Sequence, residues 1–291
     1  MIINRGGGSS EEGVAERLRA MFAARQVDAD IRLVAPDDLK KVCAEAAGAQ
    51  GCDAVVAGGG DGTIGTAAAA LAESGRALGI LPLGTLNHFA RDAGIPFDLE
   101  QAVAVIAAGQ SRQVDLAEVN GHVFVNNSAV GLYPKIVRER EVQQRRLGRS
   151  KRMAMLVAGF RAFYRFSRRR MTVRVAGREA PIETPLIFVG NNRYRITLLT
   201  LGRRDAIDRG ELSLYAPLAR TPLHFLGIAL RAVFGRADRQ RDFVHLEGIK
   251  EAEIDSSRPS LMVATDGEAQ MMETPLRYRI RPGALKLLTP P

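Results

Sequence analysis

Asp53-Ala54-Val55-Val56-Ala57-Gly58-Gly59-Gly60-Asp61-Gly62-Thr63-Ile64 is the stretch on which the fold turns. Its first five residues make a short apolar run with a β-branched pair at its centre, the pattern of a buried strand. Glycines follow, with Asp61 among them, and then Ile64 to Leu71, an alanine-rich segment of high helix propensity. A glycine-rich turn from strand to helix lets the backbone approach a ligand closely. The first N–H groups of the next helix lack partners within the helix, and the helix dipole adds to their preference for an anion. Gly58, Gly59, Gly60, Gly62 and Thr63 are therefore candidate phosphate-binding residues. Asp61 would repel a bare phosphate, so it points to a magnesium-bridged nucleotide or to a base aimed at a hydroxyl.

Outward from this turn, residues 1–116 alternate between strand-like and helical segments. Met1–Asn4, Ala29–Val34, Asp53–Ala57 and Ala77–Leu81 read as strands. Helices are expected near Glu11–Arg25, Asp37–Ala47, Ile64–Ser74, Asn87–Asp92 and Leu99–Ala108. Such alternation predicts an α/β domain with a parallel sheet covered on both faces and ligands at the carboxyl ends of its strands. The turns at Asn4–Ser10, Gly58–Thr63 and Leu83–Asn87 all fall at those ends and should share one rim. In the last of them, Thr85 follows Gly84 and offers a hydroxyl and a backbone N–H at an expected helix start. Asn87 offers an amide for nucleotide or loop oxygens.

After Val114 the pattern changes. Asp115–Val119 and His122–Asn126 flank Asn120-Gly121, a strong hairpin signal. Strand-like runs continue at Met171–Val175, Pro185–Val189, Glu211–Ala216, Leu261–Ala264, Leu276–Ile280 and Ala284–Leu288. Residues 117–291 thus read as a second, mainly antiparallel β-sheet or sandwich domain with two helical insertions. Charge divides the chain at the same place. Residues 1–116 hold 10 Lys+Arg against 15 Asp+Glu, a net of −5, and residues 117–291 hold 31 against 17, a net of +14. The insertion at 134–170 carries 13 Lys+Arg against two acids, and Met153, Leu156, Val157, Phe160 and Tyr164 give it one apolar helix face. It reads as a dock for an anionic membrane surface. No helix-turn-helix, RNP or zinc pattern accompanies the charge, so nucleic acid is not the expected partner. The second insertion, Pro222–Gly235, is so uniformly apolar that pattern alone does not separate it from core.

Cys43 and Cys52 are too few for a disulfide framework, which fits a reducing cytoplasm. The N-terminal residues lack a signal-peptide pattern, and no apolar run reaches the roughly 18 residues of a membrane span. A peripheral, membrane-associated cytoplasmic protein is expected. A homodimer is compatible with the sequence, which does not fix the oligomeric state.

Gly59–Thr63 and Gly84–Arg91 together resemble the catalytic domain of the diacylglycerol kinase and sphingosine kinase superfamily, in particular its bacterial lipid kinases. Their GGDGT and G-T-x-N-x-F-A-R patterns stand here one βα unit apart. Asn4 sits where the family has an asparagine after its first strand. Val125–Gly131 looks like the segment entering the second domain, Gly190-Asn191-Asn192 like its G-N-N element, and Asp266-Gly267-Glu268 like its D-G-E. GGDGT alone is shared with NAD kinases and phosphofructokinases; the ordered set is more specific. The resemblance implies a Rossmann-like, NAD-kinase/phosphofructokinase-like first domain, a β-sandwich second domain, and ATP and Mg2+ as cofactors. It implies that Glu268 takes the proton from a lipid hydroxyl, with Asp266 beside it on the same turn as a second catalytic carboxylate. Asp61 would then orient magnesium or support that base. Family members also bind a structural magnesium near a D-G-x-L turn; here Ile207-Asp208-Arg209-Gly210-Glu211-Leu212 departs from it. Either Asp208 coordinates from a shifted loop or Arg209 replaces the ion, and the second is favoured. The expected function is an ATP-dependent lipid kinase acting on diacylglycerol or a related lipid alcohol. A kinase for a soluble acceptor such as NAD, and a non-catalytic lipid-binding protein of the same fold, are the rivals.

Overall fold

The apolar run ahead of the Gly58–Gly60 turn is a strand buried at consecutive positions. Val55, Val56 and Ala57 are all buried, as are Leu78, Ile80 and Leu81 of its neighbour. Consecutive rather than alternate burial is what helices on both faces of a parallel sheet produce. The computed structural model describes residues 1–5, 12–138, 168–195, 203–233 and 238–291. The glycine-serine turn expected at 6–10 and most of the basic insertion, 139–167, including its Met153–Tyr164 helix face, lie outside the described residues. The chain divides into two units: Met1–Leu116 with Ala206–Arg209 and Arg281–Pro291, and Ala117–Asp205 with Gly210–Ile280.

In the first unit, strands β1 (Ile2–Asn4), β2 (Arg32–Val34), β3 (Ala54–Gly59) and β4 (Ala77–Pro82) lie in the order β2-β1-β3-β4. Every pairing among them is parallel. Helices α1 (Glu12–Ala23), α2 (Leu39–Gly48), α3 (Asp61–Leu71), α4 (His88–Asp92) and α5 (Leu99–Ala108) connect or follow them. Each longer helix buries one stripe, such as Ala15, Leu18 and Phe22 on α1 and Ile64, Ala67, Ala68 and Leu71 on α3. The sequence marks both ends of α5. Asp98 Oδ1 accepts from Gln101 N at 2.9 Å, and Gly109 ends the helix at φ 67.

The second unit contains β5 (Ser111–Val119, from Ala117 onward), β6 (His122–Phe124), β7 (Asn127–Gly131), β8 (Arg169–Val175), β9 (Arg178–Thr184) and β10 (Leu186–Asn191). A short pair, β11 (Tyr194–Arg195) and β12 (Arg203–Arg204), precedes β13 (Leu212–Pro217). Then come β14 (Phe243–Ile249), β15 (Glu251–Ser256), β16 (Ser260–Thr265), β17 (Glu268–Glu273) and the first part of β18 (Leu276–Leu288). One antiparallel sheet runs β14-β13-β10-β7-β16-β17. A second antiparallel set joins β18, β15, β8 and β9. Side chains from both, among them Val130, Val189, Leu214 and Val263 with Val173, Ile254, Leu276 and Tyr278, form one buried core. That is the construction of a β-sandwich. The Asn120-Gly121 hairpin is present, with Val119 opposite His122.

One strand does not stay where the sequence grouping put it. Residues 117–291 were expected to form a single β-rich domain, yet Arg281–Pro291 belongs to the first unit. Lys286 and Leu287 pair in parallel with Ala77 and Leu78 of β4, and Asp115 Oδ1 accepts from Gly283 N at 2.9 Å. A parallel partner so distant in sequence needs no turn beside the strand, so the strand's own residues do not reveal which sheet takes it.

Tyr278 is the largest fully buried side chain of the sandwich core, edge-on to Phe124, with its hydroxyl 3.0 Å from Ser128 Oγ. Burial pushes its phenol above the usual range and keeps it neutral. Tyr278→Phe strands the Ser128 hydroxyl and is expected to cost about 1–3 kcal/mol. The check is the urea midpoint, which should fall while the slope of the transition stays unchanged.

Candidate active site

The loop pair at the start of α3 is built from backbone. Gly60 stands before α3 in extended conformation, φ −89 and ψ −174, and no side chain caps the helix's first turn. At α5 an aspartate fills that role; at α3 the N-cap is a glycine, which brings no side chain to the first-turn N–H groups. The second loop meets the first here. A Cβ on Gly84 would lie 2.4 Å from Gly60 Cα and 2.7 Å from Asn87 Oδ1, so the two loops touch main chain to main chain.

Three side chains lock this arrangement. Asp61 Oδ1 accepts from Phe89 N, in the first turn of α4, at 3.3 Å, tying α3 to the loop after β4. Asn4, at the carboxyl end of β1, donates from Nδ2 to Thr63 Oγ1 at 2.9 Å, and Thr63 is buried. Asn87 adopts the left-handed conformation at φ 48. Its Oδ1 accepts from Gly84 N at 3.1 Å, and its Nδ2 donates to Pro82 O at 3.1 Å and Gly84 O at 2.8 Å. The Asn87 amide is therefore spent on the shape of its own loop. Asn4, Gly58–Thr63 and Gly84–Asn87 do share the rim at the carboxyl ends of β1, β3 and β4. Thr85 differs from expectation: it is an exposed loop residue, and α4 starts later, at His88. The left-handed turn at Asn87 delays the helix.

In the second unit, Asp266-Gly267 is the two-residue turn of the hairpin joining β16 to β17, with Thr265 opposite Glu268. Both turn residues have positive φ, 49 and 87, as a tight hairpin requires; aspartate and glycine tolerate that conformation best. The Asp266 carboxylate accepts three consecutive backbone N–H groups: Val125 at 2.7 Å, Asn126 at 2.8 Å and Asn127 at 3.2 Å. Asp266 N in turn donates to Asn127 O at 2.9 Å. Burial pushes this carboxyl up to about 6, against the pull of those N–H groups and of Arg204. With its oxygens so occupied, Asp266 acts as a positioning residue. Glu268 follows as the exposed first residue of β17.

Arg204 grips the same segment and went unseen in the sequence. It is buried, and its Nη1 donates to Val125 O at 2.7 Å and Asn191 O at 3.2 Å, its Nη2 to Asn126 Oδ1 at 2.9 Å. Asn191 Nδ2 adds a bond to Val125 O at 2.9 Å. The segments Val125–Gly131, Gly190–Asn192 and Asp266–Glu268, far apart in sequence, thus converge on one buried polar knot. Nothing in the local run Arg203-Arg204-Asp205 marks which arginine is interior.

The magnesium turn implied by the resemblance does not fit these residues. Asp208 is exposed and paired with Arg112 at 3.3 Å, while Gly210 O accepts from Lys250 Nζ. Among the described residues no three His, Cys, Asp or Glu side chains gather as a metal site. The carboxylate of Asp208, expected as a metal ligand, is instead paired with Arg112, and the Gly210 carbonyl is taken by Lys250.

Residues 1–119 match the diacylglycerol kinase catalytic domain, and residues 135–289 match the YegS C-terminal NAD kinase beta sandwich-like domain. A Pseudomonas aeruginosa protein named "Probable lipid kinase YegS-like" is 31% identical over 282 residues, covering 94% of this chain and 90% of its own. An Enterobacter protein of the same name is 46% identical over 94 residues, 31% of each chain. A solved structure described as a diacylglycerol kinase from Bacillus anthracis matches with a TM-score of 0.71 at 21% identity, over 100% of this chain and 96% of its own; it shows the fold.

Gly84→Ala would force the two loops apart. Such overpacking costs about 1–3 kcal/mol, so nucleotide affinity, measured by calorimetry, should fall about tenfold while the circular dichroism spectrum is unchanged. At Asp266 the folded protein binds a proton more tightly than the unfolded chain between pH 3.8 and about 6. Its contribution to stability therefore falls as pH rises through that window and is level above it. Asp266→Asn should remove this slope from denaturation midpoints measured across the window.

Proposed function

Because the chain belongs to the YegS-like lipid kinases, which carry a diacylglycerol kinase catalytic domain, we propose that it transfers the γ-phosphate of ATP to a hydroxyl of diacylglycerol or a related lipid alcohol. The main-chain contact between Gly60 and Gly84 at an uncapped helix N-terminus is the observation that carries the reading. A Cβ would fill that cradle, and the residues present fit a magnesium-bound nucleoside triphosphate. The N–H groups of Gly58–Thr63 would hold the phosphates, and Asp61 the magnesium that travels with them; such ions need few protein ligands when phosphates and water supply the rest. Bound there, ATP supplies the transferable phosphoryl group.

The chain's own residues have the remaining tasks. Backbone dipoles fixed by Asn4, Asn87 and Asp61 neutralise charge on the transferring group without reorganising, where phosphoryl transfer gains most of its rate. Glu268, on a hairpin held by Asp266, takes the proton from the acceptor oxygen. Proton transfer to a positioned carboxylate is worth about 10²–10⁴-fold. Among the described residues no helix is long and apolar enough to cross a membrane.

The test is transfer of radiolabelled γ-phosphate to a mixed lipid extract, with the product identified by mass and NAD offered as a rival acceptor. Glu268→Gln is expected to lower turnover about 10²–10⁴-fold with nucleotide affinity retained, and Asp61→Asn to weaken Mg-ATP binding itself. Full activity of the glutamine variant would remove Glu268 as base. Transfer to NAD but to no lipid would overturn the acceptor class.

A further inference from the structure

The run Pro222-Leu223-His224-Phe225-Leu226-Gly227-Ile228-Ala229-Leu230-Arg231-Ala232-Val233 cannot be told from an interior helix in sequence, because apolar residues occupy nearly all its positions. The structure buries Ile228, at 2% exposure, but leaves Leu223, Leu226 and Leu230 at 72%, 46% and 48%. Their spacing of three and four puts these leucines on one helix face. The apolar stripe that a globular helix turns inward is thus turned outward. Leu218, just ahead of the helix, is also exposed. Single exposed leucines need no explanation, but a stripe of this size marks an interaction surface.

The rim of the stripe is basic. Arg168, Arg220, His224 and Arg241 line a groove together with Leu218, Glu183 and Asp242. Both acids are already neutralised, Glu183 by Arg168 at 2.8 Å and Asp242 by Arg231 at 2.7 Å. Arg220 and Arg241, both exposed, therefore set the sign of the rim. An apolar ridge inside a cationic rim complements a bilayer with anionic headgroups: leucines enter the acyl boundary while guanidinium groups stay at the phosphates. A second copy of the chain is a poor match. It would bring its own cationic rim against this one in a two-fold contact, and the chain's net charge is already +9.

We propose that Pro222–Val233 is an interfacial helix that docks the protein on anionic phospholipid, with Leu223, Leu226 and Leu230 inserted and Arg220 and Arg241 on the headgroups. The docking deepens the lipid-kinase reading and rests on it for its purpose, but vesicle binding is measured without nucleotide, so either can fail alone. The chain contains no tryptophan, so Leu226→Trp gives a single fluorescent reporter. Its emission should shift to the blue with vesicles of equimolar phosphatidylglycerol and phosphatidylcholine, shift far less with phosphatidylcholine alone, and lose the effect in high salt. Leu223→Gln combined with Leu230→Gln should reduce co-sedimentation with the anionic vesicles about tenfold. The same double variant should keep a native circular dichroism spectrum and transfer phosphate to a detergent-dispersed lipid at the wild-type rate. Unshifted emission with both vesicles, or undiminished co-sedimentation of the double variant, overturns the proposal. Self-association of the wild type that the double variant abolishes, seen by sedimentation velocity, would also overturn it and make the stripe a contact between copies.

Discussion

Val125, Asn126 and Asn127 present three consecutive backbone N–H groups to a partly buried site, and an unpaired buried N–H costs about as much as a lost hydrogen bond. The Asp266 carboxylate supplies the acceptor for all three. Much else follows from that contact. It fixes the β16–β17 hairpin against the start of β7, and so fixes the position from which Glu268 leaves the turn. The carbonyl side of the same segment needs donors, and Arg204 and Asn191 provide them. A buried guanidinium is tolerable because its donors reach the Val125 and Asn191 carbonyls and the Asn126 side chain, with the Tyr194 ring 5.6 Å from its centre.

The two units solve the same problem in opposite ways. In the second, an internal carboxylate fills a set of adjacent N–H groups, which makes the segment rigid. In the first, the N–H groups at the start of α3 have no side-chain cap, and Gly60 and Gly84 pack so closely that no side chain could stand between the loops. Asn4, Asp61 and Asn87 brace the cradle through Thr63 and the backbone, from behind. This division of labour suits a kinase, where rigid dipoles neutralise charge on a phosphoryl group that comes and goes.

How legible the site was depended on whether its signal was local. Gly58–Thr63 could be read because a glycine run between a strand and a helix has few other uses, whereas Asp266-Gly267-Glu268 was legible only through its resemblance to the family's D-G-E. Thr85 was placed at a helix start because the sequence does not show that Asn87 takes a left-handed conformation. Asp266 was read as a second catalytic carboxylate because its three N–H partners lie some 140 residues away. Arg204 was missed for the same reason, since the acceptors that make a buried arginine possible are assembled from distant strands. The exposed leucines of Pro222–Val233 could not be told from core, because composition records how apolar a helix is and not which way it faces.

The sequence by itself determined the alternating α/β unit, the strand-rich second unit, the glycine-rich turn from strand to helix and the Asn120-Gly121 hairpin. These rest on backbone preferences and periodicities that act over a few residues. Only the tertiary structure decided that Arg281–Pro291 returns to pair with β4, that Asp266 and Arg204 clamp Val125–Asn127, that Arg112 pairs with Asp208 and Lys250 with the Gly210 carbonyl, and that the Leu223 stripe faces outward. Each of these depends on which distant groups meet, and a parallel strand, a buried charge or an exposed face carries no local mark of its partner.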